Sequence, residues 1–427
     1  MFTLHIRDIA AAGYTSAAGY AFEQLNPNSI EFKDRGSADD MTKVPLAIDT
    51  KTVIHTTSEK FLSLALDAGI MLHKWETFDI RSPRLQTLAR GLRPAILRFG
   101  GNAADLLLFN RSARCPYVAG QPVSEEQIEQ WENYEKYDKY DNFTMSATDF
   151  DVLNKFAAIA DWLLLFDFNV LLRNGSDWDP RNAVEILKYS IEKNYTHHLA
   201  FELGNEPNGF KHRFGWPLEG DQLGRDVLML QKTLKQDPRF SQFFADSIQV
   251  GPDVTRPPRS LKFLKKYLSV VHNSLDAVTW HQYYINGRTA TVSDFIDPEI
   301  LDYFPQQVDE VKAAVREARM PHAELWLGET STAWGGGAEG LSNAYVAGFM
   351  WLDKLGISAM TGISLVVRQT FYGGHYSLID RYLQPLPDYW LSLLFKRLVG
   401  SKVLNVTTPV RDRHTLRVYA HCTATSR

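Results

Sequence analysis

From residue 60 onward, short apolar runs alternate with longer stretches in which apolar residues recur every three or four positions. The runs span residues 61–67, 95–100, 163–172, 198–203, 247–251, 276–284, 323–328 and 362–371, and they are almost continuously hydrophobic instead of alternating. Strands buried on both faces have that pattern. The stretches 181–193, 221–234, 259–272, 298–318 and 342–355 carry a helical period, and 387–398 follows the last run. Strands alternating with helices predict a parallel sheet, and eight such units close most economically into a (β/α)8 barrel. An open doubly wound sheet is the competing arrangement, but no glycine-rich phosphate-binding fingerprint follows the first run.

Three segments break the rhythm. Residues 1–52 show no clear period and receive no assignment. Residues 111–145 are polar, acidic and tyrosine-rich, too long for an ordinary connection, and are expected to form an exposed insertion or linker within a barrel spanning 53–390. After Gly400, residues 402–406 and 415–420 read as strands with 411–414 as their turn. Two strands do not make a stable sheet alone, so they are expected to pack on the barrel or to belong to a second, incomplete domain.

Composition narrows the function less than the pattern does. The 427 residues are 44% apolar and carry a formal charge of −4, which supports a large core and points to neither a nucleic-acid nor a membrane partner. No run reaches the roughly 20 apolar residues of a transmembrane helix; the longest candidate, 162–172, is interrupted by Asp167. No signal peptide is visible at Met1, which taken alone suggests a cytosolic protein. Five Asn-x-Ser/Thr sequons, at Asn110, Asn142, Asn174, Asn194 and Asn405, argue the other way. Cys115 and Cys422 are too few for a disulfide framework or a metal site and read as unpaired thiols.

Two runs end on a carboxyl group inside a turn: His198-Leu-Ala-Phe-Glu-Leu-Gly-Asn-Glu206-Pro-Asn208 on the fourth strand and Leu325-Trp-Leu-Gly-Glu329-Thr-Ser331 on the seventh. Taken alone, Glu206 has the competing reading of a turn carboxylate capping the next helix and Glu329 that of a buried structural carboxyl, and Glu202 shows that strand glutamates here need not be catalytic. Together, on strands whose ends meet across a barrel mouth, they are the minimum equipment for glycoside hydrolysis. Retention needs one protonated and one ionised carboxyl about 5–5.5 Å apart. Glu206 is assigned as acid/base, its proton held by the charge of Glu329, and Glu329 as nucleophile; a spacing near 9 Å would point to inversion. Asn205 beside Glu206 can bond a sugar hydroxyl. After strand six, His281 and Tyr283 are placed to orient the nucleophile or touch the sugar, and Arg288 to pair with an anionic substituent. No metal-ligand spacing occurs, and no metal or other cofactor is expected. Lys211, His212 and Arg213 follow strand four, Arg256 and Arg259 strand five; with Arg288 they form a basic rim suited to an anionic polymer. Glycines at 335–337 and 373–374, with Tyr376, would let backbone N–H groups approach a ligand, or are simply connectors.

Longer motifs carry a family likeness. Phe201-Glu-Leu-Gly-Asn-Glu-Pro-Asn208, Asp276-Ala-Val-Thr-Trp-His-Gln-Tyr-Tyr284, Asn286-Gly-Arg-Thr-Ala-Thr291, Trp326-Leu-Gly-Glu-Thr-Ser331, Gly348-Phe-Met-Trp-Leu-Asp-Lys-Leu-Gly356 and Pro385-Leu-Pro-Asp-Tyr-Trp-Leu-Ser-Leu-Leu394 resemble the heparanase family, the endo-β-glucuronidases of glycoside hydrolase family seventy-nine. The likeness runs from about residue 53 to the end. It implies a retaining barrel hydrolase that cleaves internal bonds of heparan sulfate on proteoglycans, secreted or lysosomal, associated with extracellular matrix and membranes, and glycosylated. It implies saccharide contacts at Asp67, His281, Arg288, Trp334, Gly335, Gly336, Gly374 and Tyr376. Asn102 stands where the family has threonine, His212 where it has lysine, and Pro258 where it has arginine. Residues 111–145 resemble a shortened form of a linker whose excision leaves two associated subunits and opens the cleft. Residues 391–427 would hold the last barrel helix and the start of a truncated β-sandwich, leaving apolar barrel surface exposed and Cys422 without the disulfide partner the family provides. The alternatives are a non-catalytic heparan-sulfate-binding paralogue, an exo-acting β-glucuronidase on the same barrel, and a product that does not fold.

Overall fold

The computed structural model describes residues 2–5, 29–30, 44–73, 75, 78–114, 142–196, 198–407 and 416–423. Eight parallel strands close a barrel in chain order: β1 (Leu62–Asp67), β2 (Ala95–Gly100), β3 (Trp162–Phe168), β4 (His198–Leu203), β5 (Ile248–Val254), β6 (Ala277–Gln282), β7 (Glu324–Thr330) and β8 (Leu365–Arg368). One main helix follows each: α1 (Pro83–Gly91), α2 (Ala147–Ala160), α3 (Arg181–Glu192), α4 (Gly220–Gln236), α5 (Leu261–Val271), α6 (Pro298–Glu317), α7 (Ala347–Met360) and α8 (Pro387–Leu398). The expected elements are present with shifted ends. The stretch expected to be helical from 342 starts at Ala347, and the last strand is four residues long, not ten.

Inside the barrel, Ala65, Ile96, Leu165, Ala200, Val250, Ala277, Trp326, Leu365 and Val367 form an apolar plug. The residues alternating with them, such as Leu97, Phe166, Phe201 and Val278, face outward into the core shared with the helices. Inward positions further along the strands are polar: Arg98 lies two residues past Ile96, Asp167 two past Leu165, Glu202 two past Ala200 and Thr279 two past Ala277. Strand period alone therefore stacks a buried polar layer on the plug, at the end where the strands stop.

The two C-terminal strands have partners that the sequence pattern does not reveal. Val399–Thr407 pairs with Ala47–Thr56 on one side and with Leu416–Thr423 on the other, and Leu416–Thr423 also pairs with Phe2–His5, giving a four-stranded antiparallel sheet. The boundary expected between residues 52 and 53 falls inside the strand Ala47–Thr56. The sheet packs on α6 and α7. Tyr419 lies where a Cβ on Gly356 would be, and Arg417 joins Asp353 of α7 at 3.2 Å and Asp302 of α6 at 2.7 Å. On α8, Trp390, Leu394 and Leu398 recur every fourth position and stay exposed as an apolar stripe. Cys422 has no disulfide partner among the described residues; Cys115 lies outside them.

Most of the insertion expected at 111–145, residues 115–141, also lies outside the described residues. Its flanks are fixed. Leu107–Asn110 and Phe143–Ser146 pair in parallel, and Ser146 caps α2 through a reciprocal bond with Asp149, which in turn accepts the Trp75 indole N–H at 2.9 Å.

Candidate active site

The site is built on Arg98. Its guanidinium, 1% exposed, donates from Nε to Glu202 at 2.7 Å, from Nη1 to Glu329 at 2.8 Å and from Nη2 to the Asn205 side-chain oxygen at 2.9 Å, with Asp167 3.9 Å away. One cation on β2 thus orients groups from β3, β4 and β7. Glu329 accepts a second bond from the Tyr283 hydroxyl at 2.6 Å. These two bonds fix the orientation of the Glu329 carboxyl.

Glu206 follows a turn in which Gly204 has φ +84° and Glu206 itself φ +48°. Three successive N–H groups hold this turn: Gly204 donates to Asp167 at 2.8 Å, Asn205 to Asp105 at 3.1 Å, and Glu206 to the Asp253 carbonyl at 3.0 Å. A left-handed non-glycine residue persists only when its surroundings over-determine it, and these bonds supply that constraint. The Glu206 carboxyl meets His281 Nδ1 at 3.0 Å through Oε1 and accepts from Arg213 Nη2 at 3.0 Å through Oε2. His281 Nε2 contacts Asp253 at 3.1 Å, and its Nδ1 lies 3.9 Å from Glu329. Oxygens of Glu206 and Glu329 and a ring nitrogen of His281 all lie within 4.8 Å of one another. Such a trio has the donor set of a cation site, yet Arg98 and Arg213 already place positive charge on both carboxylates and His281 is bonded at both nitrogens.

The charge states differ from the sequence expectation. Burial pushes the Glu206 carboxyl up, but the bond and charge of His281, with Arg213 behind it, overcome this and hold it down at about 2. Glu206 is thus ionised in the resting site, where an acid held protonated by Glu329 was expected. The proton resides next door. Burial opposes charge on His281, but the carboxylate of Glu329 and the bonds to Asp253 and Glu206 raise it to about 9. Burial raises Asp67 to about 6, helped by Glu329, and Asp105 to about 7.

Of the other expected contacts, Asn205 is fixed by Arg98 and by donating to Asn102 at 2.7 Å. Asp67 lies at the end of β1, so close to Gly101 that a Cβ there would stand 2.5 Å from it. Tyr376 stacks on Tyr283 with centroids 6.2 Å apart. The loops after β6, β7 and β8 form one rim. Ile285–Asn286 pairs with Ala333–Trp334, and His375 N–H donates to Gly336 at 2.7 Å. A Cβ on Gly337 would lie 2.7 Å from the Tyr376 nitrogen, so glycine there lets two loops touch. Gly335, Gly336 and Gly374 sit on this rim, with Trp334 41% exposed beside them. Lys211, His212, Arg259 and Arg288 are exposed on the loops after β4, β5 and β6. Arg256 is exposed too, but Nη1 is spent on the carbonyls of Tyr283 and Tyr284 at 2.9 and 3.1 Å. Sequence reasoning left Arg98 and Asp253 out of the site and assigned Arg213 only to the rim. For Arg98 the signal was present as a lone charge in the run Ala95-Ile-Leu-Arg-Phe-Gly100.

Comparison with known proteins bears on the fold and the family. Residues 44–356 match the model of "Glycosyl hydrolase family 79, N-terminal domain". The chain is 42% identical over 417 residues to heparanase of Bos taurus, covering 91% of this chain and 74% of that protein. It is 35% identical over 437 residues to inactive heparanase-2 of Homo sapiens, covering 90% and 72%. Among solved structures, a GH51 α-L-arabinofuranosidase from Thermotoga petrophila superposes with a TM-score of 0.61 at 13% identity, covering 86% of this chain and 76% of that one, a likeness of fold. A closed barrel with two glutamates facing across its mouth, and a family match over most of its length, together show that the chain belongs to glycosyl hydrolase family 79 and is a heparanase-like glycoside hydrolase.

Proposed function

We propose that the chain is a retaining endo-β-glucuronidase that cleaves internal bonds of heparan sulfate, with Glu329 as nucleophile and Glu206 as acid/base. The observation that carries this reading is that an oxygen of Glu206 and an oxygen of Glu329 lie within 4.8 Å of each other, an approach that suits the roughly 5–5.5 Å carboxyl spacing of a retaining enzyme better than the roughly 6.5–9.5 Å of an inverting one. Arg98 and Tyr283 each bond one oxygen of Glu329 and so hold its carboxyl oriented for attack. In the first step a Glu329 oxygen bonds to the anomeric carbon as the glycosidic C–O bond breaks, and Glu206 gives its proton to the departing oxygen. In the second, water loses a proton to Glu206 and attacks the same carbon, and Glu329 leaves as carboxylate. The proton for the first step comes from His281 Nδ1, which leaves the imidazole neutral with its remaining N–H on Asp253.

Asn205, Asn102, Asp67, Tyr376 and the glycine rim would hold the sugar, and Lys211, His212, Arg256, Arg259 and Arg288 its sulfates and carboxylates. The similarity to an inactive relative favours a non-catalytic reading; the presence of both glutamates, each hydrogen-bonded to a cation, opposes it. We assign the protein to a secreted or lysosomal location and to extracellular matrix and membrane surfaces, as a glycoprotein. All five sequon asparagines are exposed, which supports glycosylation. No helix among the described residues is long and apolar enough to cross a membrane. A cut within 111–145 would leave two chains joined by the β2–β3 ladder and by the pairing of Leu107–Asn110 with Phe143–Ser146, and would open the cleft.

The test is chain-length analysis of heparan sulfate after incubation with the intact chain, the chain cut within 111–145, and the cut chain carrying Glu329→Ala. Mid-size fragments are expected from the cut chain, fewer from the intact one and none from the variant. Release of monosaccharide would replace this reading with the exo one, and equal cleavage by intact and cut chains would refute the linker's role.

A further inference from the structure

Both oxygens of Glu206 are bonded to cations, so neither is free to carry a proton toward a leaving group. One partner must let go. His281 is 1% exposed and braced between Glu206 and Asp253. Arg213 is different: its side chain is 19% exposed, it ends the one-turn helix Phe210–Arg213, and beyond Glu206 its guanidinium has, among the described residues, a long contact with the Asn205 carbonyl at 3.4 Å, the Phe214 ring 6.0 Å from its centre and the more distant charge of the buried Asp105. Its neighbours Lys211 and His212 are exposed on the same turn.

We propose that Arg213 couples acid catalysis to the substrate: an anionic group on the leaving-group side draws the guanidinium off Glu206 and thereby allows Glu206 to become the acid. The proposal rests on the assignment of Glu206 as acid/base. A general acid must lie against the leaving group, so the cation bonded to its outer oxygen occupies the space that the leaving sugar enters. A sulfate or carboxylate there offers the guanidinium a bidentate partner at least as good as the single bond it gives up. With Arg213 withdrawn, Glu206 still faces His281 from β6 and the negative charge of Glu329 from β7, with Tyr283 beside them, Asp253 beyond His281 and Arg98 beyond Glu329. Losing one cation from this set favours the neutral acid. The proton then passes from His281 Nδ1 to Glu206, and the imidazole keeps its bond to Asp253. The carboxyl, no longer tied at Oε2, is free to turn and present the proton to the leaving oxygen. A substrate without the anion leaves the acid locked as carboxylate, so Arg213 would make the sulfation of the leaving sugar a condition of turnover and not only of binding.

The test uses R213Q and R213K with two tetrasaccharides that differ in one sulfate on the glucosamine at the leaving-group side. The wild type is expected to turn over the sulfated substrate about tenfold faster in kcat, the equivalent of roughly 1.4 kcal/mol. R213Q is expected to lose that preference and, on the unsulfated substrate, to move the alkaline limb of kcat upward by about 1–3 units, the usual effect of removing one close opposite charge. R213K should restore part of the preference. A second measurement is independent of turnover. Carboxyl NMR of Glu206 should show it ionised throughout the folded range in the wild type, and titrating within that range in R213Q or on saturating the wild type with glucosamine 6-sulfate. An unchanged kcat preference in a folded R213Q, or a Glu206 titration indifferent to both substitution and sulfate, would overturn the proposal. If the titration moves but neither tetrasaccharide is cut by any form, the coupling stands and the glycosidase assignment fails.

Discussion

Arg98 is the residue on which the site's charges depend. It is buried on an inward position of β2 and is the cation shared by Glu202, Glu329 and the Asn205 side chain. Replacing it with methionine would leave buried carboxyls without a partner, a change that typically costs about 3–5 kcal/mol. Arg98→Met is therefore expected to lower the urea midpoint sharply and abolish cleavage, whereas Arg98→Met with Glu202→Leu should regain part of the stability and none of the activity. An R98M protein with wild-type urea stability would refute the shared-cation account. Glu206 and Glu329 were legible in sequence because each ends an apolar run inside turn residues. The resting ionisation of Glu206 was not, because it depends on His281, which reaches it from β6, and on the fold of the turn that brings Arg213 back onto it.

At the scale of elements, one irregularity decides which way the nucleophile points. On β7, Trp326 faces the barrel interior and Leu325 and Leu327 face out. A regular strand would then turn Gly328 inward and Glu329 outward, into the helices. The ladder with β6 shifts between Trp280↔Leu327 and His281↔Glu329, so one extra residue on β7 re-aims Glu329 into the mouth beside His281. Nothing in Leu-Trp-Leu-Gly-Glu329 marks that shift except the glycine itself, and Gly328 has no room for a side chain: a Cβ there would lie 2.3 Å from Asp253 Oδ1. The β4 turn is equally intolerant. A Cβ on Gly204 would stand 2.5 Å from Val170 at a φ that already disfavours side chains. Gly204→Ala is expected to displace Glu206 and reduce kcat about 100-fold, as misplacement of a reacting group by roughly an ångström does. Kinetics on heparan sulfate oligosaccharides would show it, and unchanged kcat would mean the turn is not a positioning device.

For the whole molecule, the mild net charge of −4 conceals a mouth crowded with carboxyls: Asp67, Asp105, Asp167, Glu202, Glu206, Asp253 and Glu329 against the cations Arg98, Arg213 and His281. Asp67 at about 6, Asp105 at about 7 and His281 at about 9 are all raised by the fold, so each contributes stability that is complete below its unfolded pKa and is lost as pH rises through the folded value. Glu206 at about 2 and Asp253, lower still, act in the opposite sense and lose their contribution as pH falls below about 4. The contribution of these groups to the urea midpoint should therefore peak near about pH 4 and decline toward pH 9, while the buried Lys396, lowered to about 7, acts in the opposite sense above neutrality; a contribution from the mouth groups that rises between about pH 4 and 6 would contradict these charge states. What the sequence determined by itself was local: the order of strands and helices, read from apolar period, and the two glutamates, read from strand ends and turn chemistry. Only the tertiary structure decided what joins distant residues. It paired the strand Ala47–Thr56 with Val399–Thr407, it bulged β7, and it moved the resting proton from Glu206 to His281. Register, burial and charge state depend on partners tens to hundreds of residues away, and the period of one segment carries no record of them.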